Sequence, residues 1–374
     1  MKKMKKIAFY TNMASPYRVD FFNELGKHCD LYVFFEMKSS SGRDDSWISD
    51  KYKNFTPIFL KGISYSSECA YCPSIIREYK NIKPEINVVC NALSLTGIKL
   101  INYFIKRKID YIIEGDGAFD KSSSKIKTII KKKVFSNAKK LFYTSEEHKR
   151  YLLRYGGEEP KLIKYPFSSI KESEIISIDQ KSTGKEKTRV ELNLNKYDFI
   201  FLTVSRFLDL KNIETIIRAF GKSKITNSKL LIIGGQPTKS YKEIIEEYKI
   251  ENIVFLPFMP KEEVFKYMIA SDCFVFASLS DVWGLVINEA IANGLPVISS
   301  TTTLSSVELK TNGAKISLFD GMDVDKLSKL MIDYRVKSED EIRDIEGANI
   351  ETAHKFTIEK MVMRHVEKLI KNSI

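Results

Sequence analysis

The chain has 374 residues, of which 43% are hydrophobic and 29% are charged, and this composition excludes a disordered or fibrous protein. No apolar run approaches the roughly 18 residues that a membrane-spanning helix needs. Basic residues outnumber acidic ones and give a net charge of +12. The five cysteines, an odd number in a long chain without a recognisable signal segment, predict reduced thiols and a cytoplasmic location.

The first half of the chain alternates short apolar runs with helical patterns. Strands are predicted at Ile7–Tyr10, Leu31–Phe35, Asn87–Cys90, Tyr111–Ile113 and Leu141–Tyr143. Helices are predicted at Pro16–Lys27, Leu95–Lys108, Lys125–Asn137 and Glu146–Tyr155. Strands and helices in alternation predict a parallel sheet that is covered on both faces, so the fold class is α/β.

A hydrophilic stretch then interrupts the alternation. Residues Lys171 to Lys187 are rich in Ser, Lys and Glu, a composition that favours a linker. The length of the chain is comfortable for two domains. We therefore predict a first domain over residues 1–170, a linker over 171–190 and a second domain over 191–355.

The second half repeats the alternation more cleanly. Strands are predicted at Phe199–Ser205, Lys229–Ile233, Ile253–Leu256, Cys273–Ala277 and Pro296–Ser299. Helices are predicted at Ile213–Phe220, Tyr241–Tyr248, Lys261–Ala270 and Leu285–Ala292. Arg206, Gly234, Pro257 and Asp281 each follow the end of a strand. In a parallel sheet they share one edge, the edge at which ligands bind.

The stretch that begins at Asp281 predicts an anion-binding loop followed by a helix. Gly284 lets the backbone approach a ligand closely, and the amides of Leu285 and Val286 would point at an anion from the start of the helix. Asp281 lies before the helix and Glu289 lies within it. Carboxylates beside an anion need a different partner on the same ligand, and sugar hydroxyls meet that need. The stretch therefore predicts a site for a nucleotide sugar.

Asp281 and Glu289 also resemble the paired acidic signature of the group 1, or family 4, retaining glycosyltransferases, although that family has Glu in place of Asp281. Further stretches match the family in order and spacing: Val204 to Asn212, with Arg206 and Lys211 five residues apart, Leu230 to Gly235, Val254 to Pro260, and Gly294 to Val297. The matches cover roughly the whole second half of the chain.

The resemblance implies the GT-B architecture, in which two Rossmann-like parallel-sheet domains face a cleft and a C-terminal helix, here in 356–374, returns to the first domain. It also implies transfer with retention of anomeric configuration, with no metal and no cofactor besides the nucleoside-diphosphate sugar donor. Arg206 and Lys211 would bind the leaving phosphate, Asp281 the sugar and Glu289 the ribose. The remaining donor contacts would come from Ser205, Gly234, Phe258, Gly284, Leu285 and Val286.

Candidate acceptor residues lie in the first half. Glu114 and Asp116 follow a predicted strand, and their carboxylates are suited to acceptor hydroxyls, although a plain turn would also explain the glycines beside them. Tyr17 and Arg18 lie in the first strand–helix loop, where many family members carry paired glycines and this chain has none. They would serve the acceptor or simply cap a helix.

The function that these observations predict is sugar transfer to a saccharide acceptor, free or polyprenyl-linked, in the synthesis of capsule, lipopolysaccharide O-antigen or exopolysaccharide. Two alternatives stay open. A sugar-nucleotide epimerase has a similar two-domain fold, and a non-catalytic basic binding protein would need no reaction at all. The acidic pair favours the transferase.

Lysine clusters predict either a solvated surface or peripheral attachment to the inner face of an anionic plasma membrane. One cluster comprises Lys2, Lys3, Lys5 and Lys6, and another is the amphipathic stretch from Lys125 to Phe135. Nucleic acid is disfavoured as a partner, because these stretches lack interleaved aromatic residues. The four histidines are scattered without metal-ligand spacing, and no metal is expected.

Overall fold

A computed structural model describes residues 4–38, 51–120, 124–194 and 199–371. The chain divides into two compact units, one formed by Met1–Ser169 with Thr357–Ile374 and the other by Ile170–Phe356. Each unit contains a parallel sheet with helices packed against it. The predicted α/β class with two Rossmann-like domains is confirmed.

Seven strands of the described residues form the sheet of the first unit, in the order β3-β2-β1-β6-β7-β8-β9. The elements of this unit are β1 (Lys6–Met13), α1 (Pro16–Leu25), β2 (Asp30–Met37), β3 (Thr56–Phe59), β4 (Ile63–Ser66), β5 (Cys69–Tyr71), α2 (Ile75–Ile82), β6 (Ile86–Val89), α3 (Leu95–Arg107), β7 (Ile112–Glu114), α4 (Lys125–Ser136), β8 (Lys140–Tyr143), α5 (Glu146–Arg154) and β9 (Leu162–Lys164). The inner strand β1 is apolar without alternation over residues 7–10, and these residues are all buried, because helices cover both faces of a parallel sheet.

In the described part of the second unit, six strands form the sheet, in the order β12-β11-β10-β13-β14-β15. The elements are α6 (Ile178–Glu191), β10 (Phe199–Val204), α7 (Ile213–Ser223), β11 (Ser228–Ile233), α8 (Lys239–Tyr248), β12 (Ile253–Leu256), α9 (Lys261–Ala270), β13 (Cys273–Phe276), α10 (Leu285–Ala292), β14 (Val297–Ser300), α11 (Leu304–Thr311), β15 (Ile316–Phe319), α12 (Val324–Arg335) and α13 (Glu339–Ala353). The chain adds β11 and β12 on one side of β10, and β13 on the other. The gap between the ends of β10 and β13 is thus the switch point of the sheet, where open α/β sheets bind ligands.

The predicted linker over residues 171–190 is wrong in its larger part, because residues 178–191 form helix α6 of the second unit. The helix starts at a capping box between Ser177 and Gln180. Its buried Lys181 donates from Nζ to the carbonyl oxygens of Met268, Ile269 and Ser271 at 2.9, 3.1 and 3.2 Å. These carbonyls lie at the C-terminal end of α9, where a cation is favoured.

The last helix, α14 (Ile358–His365), continues as a π-helical segment over Val366–Lys371 and packs against α1. Both segments belong to the first unit, as the prediction for residues 356–374 required. His365 is fully buried there, and its two ring nitrogens lie 2.8 Å from the Met361 carbonyl oxygen and from Glu114 Oε2. These two contacts tie the ring of α14 to Glu114 at the end of β7.

Most predicted strands and helices are found with ends within one to three residues of the predicted ones. The sequence did not predict the β4–β5 hairpin, nor the succession from α11 to α13 over residues 304–353. None of the helices in the described ranges combines the length and the hydropathy of a membrane-spanning segment.

Replacing Lys181 with Ala tests whether α6 is an integral part of the second unit. The change leaves three buried carbonyl oxygens without their donor and opens a cavity, so we expect the free energy of unfolding to fall by about 2–4 kcal/mol in urea titrations. Lys187→Ala, an exposed change in the same helix, should stay within about 0.5 kcal/mol of the wild type. Equal effects of the two substitutions would contradict this packing of α6.

Candidate functional site

The predicted donor residues all lie at the carboxyl edge of the second unit's sheet. Ser205 and Arg206 follow β10, Gly234 follows β11, Phe258 follows β12 and Asp281 follows β13. Parallel strands place these loops on one edge because the strands all run in the same direction. These residues lie at different distances from the switch point. The loops after β10 and β13 border it, whereas the loops after β11 and β12 lie further out along the edge.

Two predicted residues meet at the switch point. Lys211 Nζ lies 2.5 Å from Asp281 Oδ2, and the side chains are 19% and 15% exposed. The same ammonium group lies 5.3 Å from the centre of the Phe276 ring. The sequence predicts that Lys211 binds a phosphate and that Asp281 binds a sugar. The structure adds that the two residues form an ion pair with each other.

Polar residues that the sequence analysis did not single out fix the loop that carries Lys211. Asn212 has a left-handed backbone (φ +53°), and its Nδ2 donates to the carbonyl oxygens of Ala277 and Gly321 at 3.1 and 2.7 Å. Ser278 Oγ donates to the Leu210 carbonyl oxygen at 3.0 Å. The loops after β10, β13 and β15 are therefore joined by hydrogen bonds, and Lys211 is held from both sides.

Gly284 ends the next loop and begins α10. Its φ of +87° lies in the region that favours glycine, and an added Cβ would lie 2.8 Å from Thr303 Cγ2. The same position is 3.5 Å from the Asp281 carboxyl carbon, so this glycine lies beside the ion pair. The first helical turn leaves the amides of Leu285 and Val286 without partners inside the helix, which suits them to an anion.

Glu289 lies on the same helix face as Leu285 and Val286. It follows Leu285 by four residues and Val286 by three, the spacing that aligns side chains on one face of a helix. These three residues are partly exposed, whereas Ile287 and Asn288 are buried. The helix therefore keeps Glu289 on its accessible side.

A buried hydrogen bond that sequence reasoning missed fixes the turn before α10. Trp283 Nε1 donates to Asn288 Oδ1 at 2.8 Å, and both side chains are buried. Ser305 Oγ donates to the Gly284 carbonyl oxygen at 3.1 Å. A tryptophan in a loop and an amide on the inward face of a helix were the available signals, because each needs a polar partner when buried.

The other donor-side residues extend this edge. An added Cβ at Gly234 would lie only 1.8 Å from the Ser205 carbonyl oxygen, so the two predicted residues are in direct contact and only glycine fits. Arg206 is exposed and forms no ion pair with the described residues. Phe258 is 42% exposed at the end of the outer strand β12. An exposed cation and an exposed ring are thus available at the edge.

The four predicted acceptor-side residues lie together in the first unit. Arg18 donates to Glu114 from Nη1, and its Nη2 lies 2.9 Å from Asp116 Oδ1. Tyr17 donates from its hydroxyl to Asp116 Oδ2 at 3.3 Å. His365 donates to the second oxygen of Glu114, so one buried carboxylate links α1 to α14.

Burial corrects the prediction for two of these residues. Arg18 is 3% exposed and Glu114 is fully buried, so they bind each other and are not available to an acceptor. Burial alone would raise the pKa of Glu114, but the charges and hydrogen bonds of Arg18 and His365 outweigh it and lower the pKa to about 2. Tyr17 and Asp116 are partly exposed, and their acceptor role stays a prediction.

The second unit contains a segment that matches a known protein family. Residues 184–349 match the model of the family described as glycosyl transferases, group 1, and all predicted donor-side residues lie in that segment. Over that segment, the second unit is similar to the group 1 glycosyltransferases.

Individual relatives match the chain over part of its length. An uncharacterized glycosyltransferase of Methanocaldococcus jannaschii, MJ1059, is 31% identical over 153 residues, or 38% of this chain and 37% of that protein. The poly(glycerol-phosphate) alpha-glucosyltransferase of Bacillus subtilis is 28% identical over 147 residues, or 38% of this chain and 21% of that protein. The matched segment therefore spans well under half of either relative.

A solved structure matches over nearly the whole chain. The Anabaena protein HepE, in complex with UDP and glucose, has a TM-score of 0.73, covering 99% of this chain and 100% of that one at 14% identity. At this identity the likeness shows that this chain and HepE share a fold.

Replacing Glu114 with Gln tests whether the buried cluster is structural. The change leaves Asp116 as the carboxylate partner of buried Arg18 and removes the charged acceptor beside His365, so we expect the free energy of unfolding at pH 7 to fall by about 3 kcal/mol. Glu159→Gln, at a 62% exposed side chain that pairs with Lys149, should cost less than about 1 kcal/mol. A loss equally small at Glu114 would contradict the role.

The pH dependence of that loss has a defined sign. The pKa of Glu114 is about 2 in the folded state, below the ordinary value of about 4.3, so the unfolded state takes up the proton first. Its contribution is full above about pH 4.3 and disappears as the pH falls towards 2. The difference in stability between wild type and Glu114→Gln should therefore shrink over that range.

Proposed function

We propose that this protein transfers a sugar from a nucleoside-diphosphate sugar to a saccharide acceptor, free or lipid-linked, with retention of anomeric configuration and without a metal. The observation that carries the proposal is the meeting of Lys211, Asp281 and Gly284 at the switch point of the second unit. It supplies a cation, a carboxylate and the start of a helix at one place on the sheet edge, within the segment that matches the family.

The proposed chemistry follows the charge that develops during transfer. Breaking the bond between the sugar and the diphosphate places negative charge on the leaving phosphate. Arg206 is exposed and unpaired among the described residues, so its guanidinium is available for a bidentate contact with that phosphate. Lys211 adds a second positive charge, and the first-turn amides of α10 add fixed dipoles.

The carboxylates are proposed to bind hydroxyl groups of the donor. Asp281 is fixed at the switch point and would accept hydrogen bonds from the transferred sugar. Glu289, one helical turn beyond Leu285, would accept them from the ribose. The leaving phosphate itself would take the proton of the acceptor hydroxyl, so the reaction does not require a separate protein base.

The names of similar proteins support the choice of donor and acceptor. HepE binds UDP and glucose, so UDP-sugars are the first donors to test. The Bacillus subtilis relative is a poly(glycerol-phosphate) alpha-glucosyltransferase, and its polymeric acceptor supports our proposal of an acceptor in polysaccharide synthesis. The proposal goes beyond fold and family in naming this donor and acceptor class.

Donor binding and the role of Arg206 are tested together. UDP-sugars should raise the thermal unfolding midpoint, because a ligand at a hundred times its Kd stabilises the folded state by about 2.7 kcal/mol. Arg206→Ala should lower the rate at which UDP is released from the bound donor by about a hundredfold or more. Arg343→Ala, an exposed change on α13, should leave the rate unchanged.

Other outcomes of this test point to other functions. Near-normal turnover in Arg206→Ala would remove that residue from the mechanism. Formation of an isomerised nucleotide sugar without any acceptor would support the epimerase. Absence of a thermal shift with every nucleoside-diphosphate sugar would favour the non-catalytic binding protein.

The ion pair predicts an unusual pattern of UDP affinities in calorimetry. Lys211→Ala leaves the Asp281 carboxylate uncompensated beside the diphosphate, so UDP binding should weaken by about ten- to a hundredfold. Adding Asp281→Asn removes the repulsion and should restore roughly tenfold of that loss. The exposed pair Lys222 and Asp325 of the same unit offers a matched control, and the same changes there should leave UDP affinity unaltered. A double variant that binds no better than Lys211→Ala would refute the coupling.

A further inference from the structure

Helix α4 of the first unit presents two isoleucines to solvent. Ile126 and Ile129 are 73% and 66% exposed, among the most exposed large apolar side chains of the described residues. They are three positions apart and so lie on one face of the helix. Exposed apolar residues at adjacent positions on one helix face form a patch that packing within the chain does not explain.

The opposite side of the same helix anchors it to the unit. Val134 and Phe135 are each 3% exposed and belong to the main apolar core. Lys131 lies over the rings of Tyr151 and Tyr155, 4.9 and 4.2 Å from their centres. These contacts fix the orientation of α4, so the two isoleucines are held outward by packing on the other side.

Three lysines surround the isoleucines. Lys125, Lys132 and Lys133 are exposed, and none of them forms an ion pair with the residues that the structure describes. Lysines nearby behave differently, since Lys139 pairs with Asp110 at 2.6 Å and Lys161 with Glu158 at 3.0 Å. We call Lys125, Ile126, Ile129, Lys132 and Lys133 the α4 outer face. It combines uncompensated positive charge with exposed apolar area.

We propose that the α4 outer face docks on the surface of an anionic lipid bilayer. The negatively charged headgroups of such a bilayer would attract the lysines, and the acyl boundary just beneath the headgroups would accommodate the isoleucines. A nucleic acid would match the lysines alone and leave the isoleucines in water. The docking does not depend on the proposed transfer reaction, and a lipid-linked acceptor would profit from it.

The amino-terminal lysines are less suited to this role. Lys5 Nζ donates to the Ile370 carbonyl oxygen at 3.0 Å, and Lys6 Nζ donates to the Ile82 carbonyl oxygen at 3.4 Å. Both are thereby held against the first unit. Lys2 and Lys3, the other members of that predicted cluster, lie outside the described residues. The structure therefore assigns the docking to α4.

Co-sedimentation of the full chain with lipid vesicles tests the proposal without nucleotide or acceptor. The protein should partition onto phosphatidylcholine vesicles that contain phosphatidylglycerol, and binding to phosphatidylcholine alone should be much weaker. Lys132→Gln with Lys133→Gln should lower the partition coefficient by about thirtyfold, since each lysine near an anionic surface is worth about fivefold. Ile126→Ser with Ile129→Ser should lower it by at least about tenfold.

Matched double variants control for lost charge and for lost apolar area. Lys239→Gln with Lys242→Gln removes the same charge from α8, and Ile332→Ser with Val336→Ser removes exposed apolar side chains from the end of α12. Both should bind vesicles as the wild type does, and all four variants should keep the wild-type unfolding midpoint.

Two outcomes would overturn the docking of this face. The first is wild-type partitioning that is equal on charged and neutral vesicles or absent from both. The second is an isoleucine variant that binds as well as the wild type, because the apolar pair would then play no part. Because no substrate is present, either result leaves the proposed transfer reaction to be judged separately by donor binding.

Discussion

The ion pair between Lys211 and Asp281 joins the two loops that leave the switch point of the second sheet. One loop follows β10 and the other follows β13, and the pair can form because β13 lies directly beside β10, on the side opposite β11 and β12. Everything proposed for the donor site depends on this contact. It positions the Lys211 cation beside Gly284 and the start of α10. Because the cation compensates the Asp281 charge, that carboxylate can lie close to the proposed anion site without repelling a phosphate.

In the first unit, the important ion pair is buried and has a structural role. There the Glu114 carboxylate is removed from solvent and bound from two sides by Arg18 and His365. A buried charge is tolerated only when it is paired and hydrogen-bonded, so this cluster holds the returning helix α14 in place. The same residue types that signal an acceptor site in the sequence are therefore structural when their side chains are inside.

Lysine shows how burial decides a role that composition leaves open. Lys181 is buried and binds three carbonyl oxygens at the end of α9. Lys211 is partly buried and paired at the sheet edge. Lys132 and Lys133 are exposed and unpaired among the described residues, and they face solvent beside two isoleucines. A net charge of +12 does not distinguish these three situations.

The sequence by itself determined the α/β class, most strands and helices, and the edge on which Arg206, Gly234 and Asp281 lie. Hydrophobic periodicity and the succession of strands and helices along the chain can be recognised locally, and parallel strands then share one carboxyl edge. It did not determine the helix at 178–191, whose polar composition resembles a linker until Lys181 meets the carbonyls of α9. Nor did it distinguish buried Glu114 from partly exposed Asp116. Those outcomes depend on partners distant in the chain, and only the tertiary structure decided them, since it alone sets which charges lose their water.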